Sequence, residues 1–280
     1  MNINLAINEG SKILNSKFIP NSLLDAEILM AKIINKDRNY ILLNYSNPIN
    51  KNDLNHFYKL IEQRSLGNPI AYLIKKKSFW NSEFVVTKDT LIPRPDTELV
   101  VESVLKLTKS KNKMNILDIG VGSGCILLSI LNERKNFYGT GIDISKKCIN
   151  ISKINAIKLK VNSRVKFFKT DVDKFTLGKY DLIVSNPPYI NKYNLKYLDR
   201  EVAKFEPKLA LDGGLDGLSE IRKVIKKSSE LIKENGRFIL EIGFDQKNKV
   251  INILNKEGFY INSTLKDLAN NDRCIVSTKI

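Results

Sequence analysis

Histidine is nearly missing from this chain. Among 280 residues only His56 is present, which excludes zinc, haem and triad mechanisms that rest on several imidazoles. His56 lies on the polar side of a helical pattern and is expected at the surface. Cysteine is sparse: Cys125, Cys148 and Cys274 stand far apart in no metal-ligand spacing. An odd, scattered set reads as free thiols in a reducing compartment, and no metal is expected. No segment approaches the run of about 20 apolar residues that spans a bilayer. Met1-Asn2-Ile3-Asn4 lacks the basic-then-apolar opening of a signal peptide, so a cytoplasmic chain without membrane contact is expected. Arginine is scarce as well, 9 of 46 basic residues, and the net charge of +16 is carried by lysine. The lysines are spread along the whole chain and not clustered with aromatics. A codon bias toward A and T, which would also enrich Asn and Ile, accounts for this better than a nucleic-acid surface does. Steering of an acidic partner is the alternative.

What is present is enough apolar residue, 42% of the chain, for one large core and a smaller one. The first third reads as helical. Leu23, Ala26, Leu29 and Met30 recur at helical spacing, with Ser22 available as a cap and Asp25 in the first turn. Leu54, Phe57, Tyr58 and Ile61 repeat the pattern, which stops at Gly67 with Pro69 just beyond. Two short apolar stretches, Ile70 to Ile74 and Phe84 to Val86, flank a break at Lys75 to Lys77 and suggest a hairpin or extended linker. Ile92-Pro93-Arg94-Pro95 resists both helix and central strand and marks a domain boundary. Beyond it, strands expected at Asn115 to Ile119, Tyr138 to Asp143, Val165 to Phe168, Leu182 to Ser185 and Arg237 to Ile242 alternate with helices. Two final strands, Tyr260 to Leu265 and Cys274 to Thr278, follow. Such alternation predicts an α/β fold with a mostly parallel sheet covered on both faces.

Two loops carry chemistry. Asp118-Ile119-Gly120-Val121-Gly122-Ser123-Gly124 leaves the first of these strands and opens a helix. Its glycines allow a sharp turn and close approach of a ligand. Asp143 ends the next strand, where a carboxylate can accept hydrogen bonds from both ribose hydroxyls of an adenosine. The Gly-x-Gly-x-Gly spacing and the acid before it suit a pyrophosphate poorly. They suit the ammonium group of S-adenosylmethionine. Asp171 closes the third strand and can either reach an adenine amino group or cap a helix. Asn186-Pro187-Pro188-Tyr189 leaves the buried strand ending at Ser185. The Asn186 side-chain oxygen and the Pro187 carbonyl can hold the two hydrogens of a planar amide or amine nitrogen, whose delocalised lone pair makes it a poor nucleophile. The prolines pre-set the backbone, and Tyr189 offers a flat face to the substrate. A methyl transfer of this kind rests on proximity and orientation and needs no catalytic histidine.

The sequence resembles the bacterial release factor N5-glutamine methyltransferases along nearly its whole length. The resemblance rests on Asp25-Ala26, Gly67-Asn68-Pro69-Ile70-Ala71-Tyr72, Phe79-Trp80 and Leu91-Ile92-Pro93-Arg94-Pro95-Asp96-Thr97-Glu98. It extends through Phe205-Glu206-Pro207, Ala210-Leu211, Gly213-Gly214-Leu215-Asp216-Gly217-Leu218 and Glu241-Ile242-Gly243. It implies a class I S-adenosylmethionine-dependent methyltransferase with a Rossmann-like, seven-stranded sheet. Residues 1–73 would be a helical substrate-recognition domain, 74–93 a β-hairpin linker and 94–280 the catalytic domain. The substrate implied is the glutamine of the Gly-Gly-Gln motif in peptide chain release factors, with no direct nucleic acid required and a monomer expected. By this resemblance Asp118, Gly120, Val121, Gly122, Ser123, Gly124, Asp143, Asp171, Val172 and Asn186 hold the cofactor. Asn186, Pro187, Pro188 and Tyr189 grip the substrate, with Asn186, Pro187 and Tyr189 catalytic. Val172 stands where some members carry an aromatic over the adenine. Lys75 and Asn270 replace glycines, the latter mildly since Asn tolerates a left-handed turn. Alternatives from the tetrapeptide alone are a glutamine methyltransferase of a ribosomal protein and an N6-adenine or N4-cytosine DNA methyltransferase, which would also need a base-flipping region. A catalytically idle cofactor-binding scaffold is opposed by intact Asp118, Asp143 and Asn186.

Overall fold

The computed structural model describes all residues, 1–280. In chain order the elements are α1 (Ile3–Asn15), α2 (Ser22–Ile34), α3 (Arg38–Leu43), α4 (Lys51–Ser65), α5 (Ile70–Ile74), β1 (Lys76–Phe79), β2 (Ser82–Val85), α6 (Glu98–Leu107), β3 (Asn115–Ile119), α7 (Cys125–Glu133) and β4 (Tyr138–Asp143). There follow α8 (Lys146–Lys158), β5 (Val165–Lys169), β6 (Tyr180–Ser185), α9 (Arg200–Phe205), α10 (Ser219–Leu231), β7 (Ile232–Glu241), α11 (Lys247–Lys256), β8 (Phe259–Lys266) and β9 (Asp272–Lys279). They form two compact units. One holds Met1–Lys76 with Asp199–Phe205, and the other holds Lys77–Leu198 with Glu206–Ile280. The division falls at Lys76, the first residue of β1, so nearly all of the hairpin belongs to the second unit. Nothing in the local sequence signalled that the distant segment Asp199–Phe205 would join the first unit.

The first unit buries one apolar stripe from each helix, including Ile7 and Leu14 of α1, Leu29 and Met30 of α2, and Phe57 and Ile61 of α4. Gly10 lets the helices approach closely: a Cβ there would meet Phe57 at 2.8 Å and Ile61 at 2.9 Å. His56 points to solvent. The cap expected at Ser22 sits one residue earlier, at Asn21, which is left-handed and makes no side-chain cap bond. Asp25 is not a solvated first-turn acid. It is buried and accepts from Arg64 Nε at 2.7 Å, while Arg64 Nη1 reaches Glu201 at 2.6 Å. Burial raises the Asp25 pKa despite the arginine beside it.

The apolar run Ile70 to Ile74 is a helical turn, not a strand. Periodicity cannot separate the two in so short a segment. Pro69 precedes its first turn and Lys75, at φ +60°, ends it. That backbone conformation is why a glycine suits position 75, since a side chain there costs roughly 1–2 kcal/mol. The lysine-rich break is itself the first hairpin strand, paired with β2, and Trp80 turns the chain at φ +52°. Asn270 is also left-handed, at φ +64°.

The second unit is built on a seven-stranded sheet in the order β5-β4-β3-β6-β7-β9-β8. The first five strands are parallel and β9 runs antiparallel to both neighbours. Alternate residues face opposite layers. Ile116, Leu182 and Val184 meet α6, α7 and α8 on one face, and Leu117, Ile119 and Ile183 meet α10 and α11 on the other. The chain leaves β3 toward β4 on one side and returns as β6 on the other, so the switch in strand order lies between β3 and β6. Ligands of such sheets bind beyond the strand ends at that switch.

Removing one partner of a buried ion pair strands the other. Arg64→Ala is expected to destabilise the protein by about 3–5 kcal/mol. A chemical denaturation midpoint equal to wild type would refute the buried role of this arginine.

Candidate active site

Both sequence loops leave adjacent strands at the switch. Ile119 pairs with Ser185, and Ser185 Oγ donates to the Ile119 carbonyl at 2.7 Å. The glycine loop and the tetrapeptide therefore start side by side. A cavity of about 300 Å³ opens between them. Gly120, Gly122, Asp143, Asp171, Val172, Asn186, Pro187 and Pro188 line it, together with Ile144, Leu91, Leu209 and Ala210.

The glycine loop is held from below by α8. Ser152 Oγ donates to the Gly122 carbonyl at 2.8 Å, and Asn155 Nδ2 donates to the Ser123 carbonyl at 2.8 Å. Asn155 also bonds both backbone groups of Val85 in the hairpin. Gly120, Gly122 and Gly124 all have positive φ. Gly120 is exposed to the cavity, and a Cβ there would meet no protein atom within 4 Å. Gly124 faces inward, where a Cβ would collide with Leu128 at 2.8 Å. Val121 and Ser123 are buried and turned away from the cavity.

Three carboxylates differ in their roles. Asp143 accepts from Gly122 N at 3.0 Å and Ser145 N at 2.8 Å, so it clamps the loop to the start of α8. Burial raises its pKa. Asp171 caps the following turn, accepting from Asp173 N at 3.0 Å, and also lines the cavity. Both alternatives raised for it are therefore compatible. Asp118 does not reach the cavity wall. It is 2% exposed beneath the glycine loop, and its Oδ1 has no partner. Burial pushes its pKa up to about 7.

The tetrapeptide is pinned on several sides. Asn186 Nδ2 donates to Thr97 Oγ1 at 3.1 Å, leaving Oδ1 free to accept. Tyr189 is not brought to the cavity wall as expected. Its hydroxyl donates to Glu241 Oε1 at 3.3 Å, and burial raises its pKa. Gln246 Nε2 donates to the Tyr189 carbonyl at 2.9 Å and to the Gly217 carbonyl at 3.0 Å, and its Oε1 accepts from Gly243 N. The stretch Gly213 to Leu218 lies directly against the tetrapeptide. A Cβ on Gly213 would sit 2.9 Å from the Pro188 carbonyl oxygen, and one on Gly217 2.6 Å from that of Tyr189. Thr97, Glu241, Gln246 and Asn155 had no assigned role in the sequence. A charged residue ending the apolar strand Phe238-Ile239-Leu240 was the one available signal.

The lining holds Asp89, Asp143, Asp171 and Glu220 but no lysine or arginine, in a protein of net charge +16. A pyrophosphate would find no cation here. The orphaned Asp118 oxygen, the open cradle at Gly120 and the acceptors at Asp143 fit the cationic methionine and ribose of S-adenosylmethionine.

Residues 6–74 match the PrmC N-terminal domain family model and residues 95–215 match the methyltransferase small domain. The chain is 38% identical to the release factor glutamine methyltransferase of Clostridium botulinum over 97% of both chains. It is 36% identical to that of Buchnera aphidicola, covering 99% of this chain and 97% of the relative. Among solved structures, a methyltransferase from Pyrococcus furiosus superposes with a TM-score of 0.53 at 16% identity, over 72% of this chain and 91% of that one. It shares the fold.

A carboxyl whose folded pKa lies near 7 rather than 3.8 contributes fully below its unfolded pKa. That contribution is lost as pH rises toward the folded value, because the unfolded state ionises first. Glu241 shifts in the same direction. Ligand-free protein is expected to melt at a lower temperature near ~pH 7.5 than near ~pH 5.5, with a smaller difference in Asp118→Asn. An unchanged difference in that variant would remove Asp118 as the cause.

Proposed function

Because the chain belongs to the release factor glutamine methyltransferase family, we propose that it methylates the side-chain amide nitrogen, N5, of the glutamine in the Gly-Gly-Gln motif of peptide chain release factors. In this reading it is a cytoplasmic monomer acting on a protein, with no nucleic acid required. The observation that carries the reading is the pairing of a cation-free, carboxylate-lined cavity with acceptor groups of Asn186 and Pro187 at its wall.

S-adenosylmethionine supplies a sulfonium-bound methyl group as electrophile. Gly120 and Gly122 bring backbone close to the cofactor, and Asp143 accepts from its ribose. Asp118, buried beneath the glycine loop with an unpartnered oxygen, would act on the positive charge of the methionine end through that loop. Ile144 and Val172 provide aliphatic faces for the adenine, with Asp171 at its amino group.

The chain's own contribution to the reaction is orientation. Asn186 Oδ1 accepts one hydrogen of the substrate amide and the Pro187 carbonyl accepts the other. Pro187 and Pro188 have no N–H, so the loop presents acceptors without a competing donor at either position. With both hydrogens held, the nitrogen is aimed and its lone pair is drawn out of conjugation. The nitrogen sheds a proton to solvent after transfer, which a strong base need not assist beforehand.

Asn186→Ala is expected to lower methyl transfer by about a hundredfold or more while keeping cofactor affinity. Asp143→Ala is expected to weaken cofactor binding in calorimetry. The decisive test is mass spectrometry of release factors, ribosomal proteins and DNA incubated with enzyme and labelled cofactor. Label on N5 of the release factor glutamine supports the proposal. Label on a ribosomal protein or DNA, with release factor unmodified, overturns it.

A further inference from the structure

One wall of the cavity is tied back by a single buried carboxylate. Pro207, Leu209 and Ala210 line the cavity from a stretch outside every strand and α-helix. Backbone bonds from Ala210 N to the Pro207 carbonyl and from Leu211 N to the Lys208 carbonyl fold this stretch into a tight turn. Its far end rides on the residue after the tetrapeptide. Ile190 N donates to the Leu211 carbonyl at 3.0 Å, and Gly213 N donates to the Ile190 carbonyl at 2.9 Å. Its near end begins with Pro207, which has no N–H to bond, and the buried side chain before it, Glu206, supplies the attachment. One Glu206 oxygen accepts from Ile92 N at 3.2 Å, and the other accepts from Arg94 Nη2.

The place to which Glu206 is tied adjoins a second wall. Asp89 and Leu91 line the cavity just ahead of Ile92. Cys148 Sγ donates to the Asp89 carbonyl at 3.1 Å, and Lys147 Nζ pairs with the Asp89 carboxylate at 2.9 Å, so this stretch is fixed to α8. Glu206 is also the residue at which the chain re-enters the second unit after α9. A wall that starts there needs an anchor within the second unit to keep its place beside the cavity. A buried carboxylate is tolerated where charge and hydrogen bonds compensate it. Both oxygens of Glu206 are partnered, whereas Asp118 and Glu241 each keep one orphaned oxygen. The Arg94 side chain is 36% exposed, so its half of the clasp can part into water without unpacking a core. Leu209 is 76% exposed although it lines the cavity, an apolar side chain set where a bound ligand would cover it.

We propose that Arg94 and Glu206 are positioning residues for the cofactor. They clasp the Pro207 to Ala210 wall against the Leu91 wall, and the strength of the clasp sets how long S-adenosylmethionine and its demethylated product stay bound. Neither residue lines the cavity, so each acts through the wall. The clasp slows the departure of a ligand whose methyl transfer it does not touch. The inference rests on the cavity being the cofactor site, as proposed above, and not on which substrate receives the methyl group.

The probe is S-adenosylhomocysteine, followed by calorimetry and by stopped-flow displacement. Arg94→Ala is expected to raise its dissociation rate about tenfold, the worth of one charge-assisted hydrogen bond, with an association rate that is unchanged or faster. Arg94→Lys keeps a cation for the single contact and should recover most of the residence time. Glu206→Gln keeps an acceptor for Ile92 N and loses the charge, and should raise the dissociation rate by a similar factor. Combined with Arg94→Ala it should add little, because both changes remove one interaction. Turnover separates a clasp from general loosening. In Arg94→Ala the KM for cofactor should rise about as much as the dissociation rate, while kcat toward release factor at saturating cofactor should fall by about twofold at most. Arg94→Ala touches only a half-exposed side chain, so it carries the test should Glu206→Gln not fold. A wild-type dissociation rate in Arg94→Ala, an affinity loss due wholly to slower association, no recovery in Arg94→Lys, or a kcat loss as large as the KM change would each overturn the inference. If wild-type protein does not bind S-adenosylhomocysteine, the reading of the cavity has failed and the inference with it. If it binds and release factor stays unmethylated, the substrate reading has failed, and the binding rates still decide the clasp.

Discussion

The hydrogen bond from Ser185 Oγ to the Ile119 carbonyl completes the pairing of β3 with β6, and the site depends on that pairing. Two strands separated by more than 60 residues of chain end at the same level, one on each side of the switch in strand order. The glycine loop and the tetrapeptide can then share a cavity without any long arm to bring them together. Further supports act on these two loops. Asp143 and α8 hold the first. Thr97, Gln246 and the Gly213 to Leu218 strap hold the second.

The supports also divide the electrostatics. The protein carries its positive charge outside, while the cavity is lined with carboxylates and no cation. Two further carboxyls, Asp118 and Glu241, are fully buried, each with an oxygen that has no partner. An unpaired buried acid costs stability. Asp118 precedes the glycine loop, where such a cost can be offset by a bound cationic group, and Glu241 accepts from Tyr189 of the tetrapeptide.

Much of this was legible in the sequence. Regular alternation of strands and helices predicts the sheet, and β4 falls on its expected bounds, Tyr138–Asp143. Asp143 ends β4, and Asp171 and Asn186 follow the ends of β5 and β6, and strand ends are where an α/β sheet binds ligands. Elsewhere local pattern was insufficient. Ile70 to Ile74 is too short for its period to distinguish helix from strand. Nothing near Tyr189 in sequence reveals its bond to Glu241, 52 residues away. The acid before the glycines signals a role at the loop, but its burial at 2% exposure is set by the packing around β3 and has no local signal. The pairing of Asp25 with Arg64 crosses 39 residues and had no local signal.

Gly213 and Gly217 stand so close to the tetrapeptide backbone that a single methyl group has no room. A methyl at either position would have to displace a carbonyl whose direction the site depends on. The chain's surface places no such limit, and there an exchange of one polar residue for lysine or asparagine costs little. A change that the surface tolerates is therefore excluded from the few cubic ångströms behind Pro188 and Tyr189.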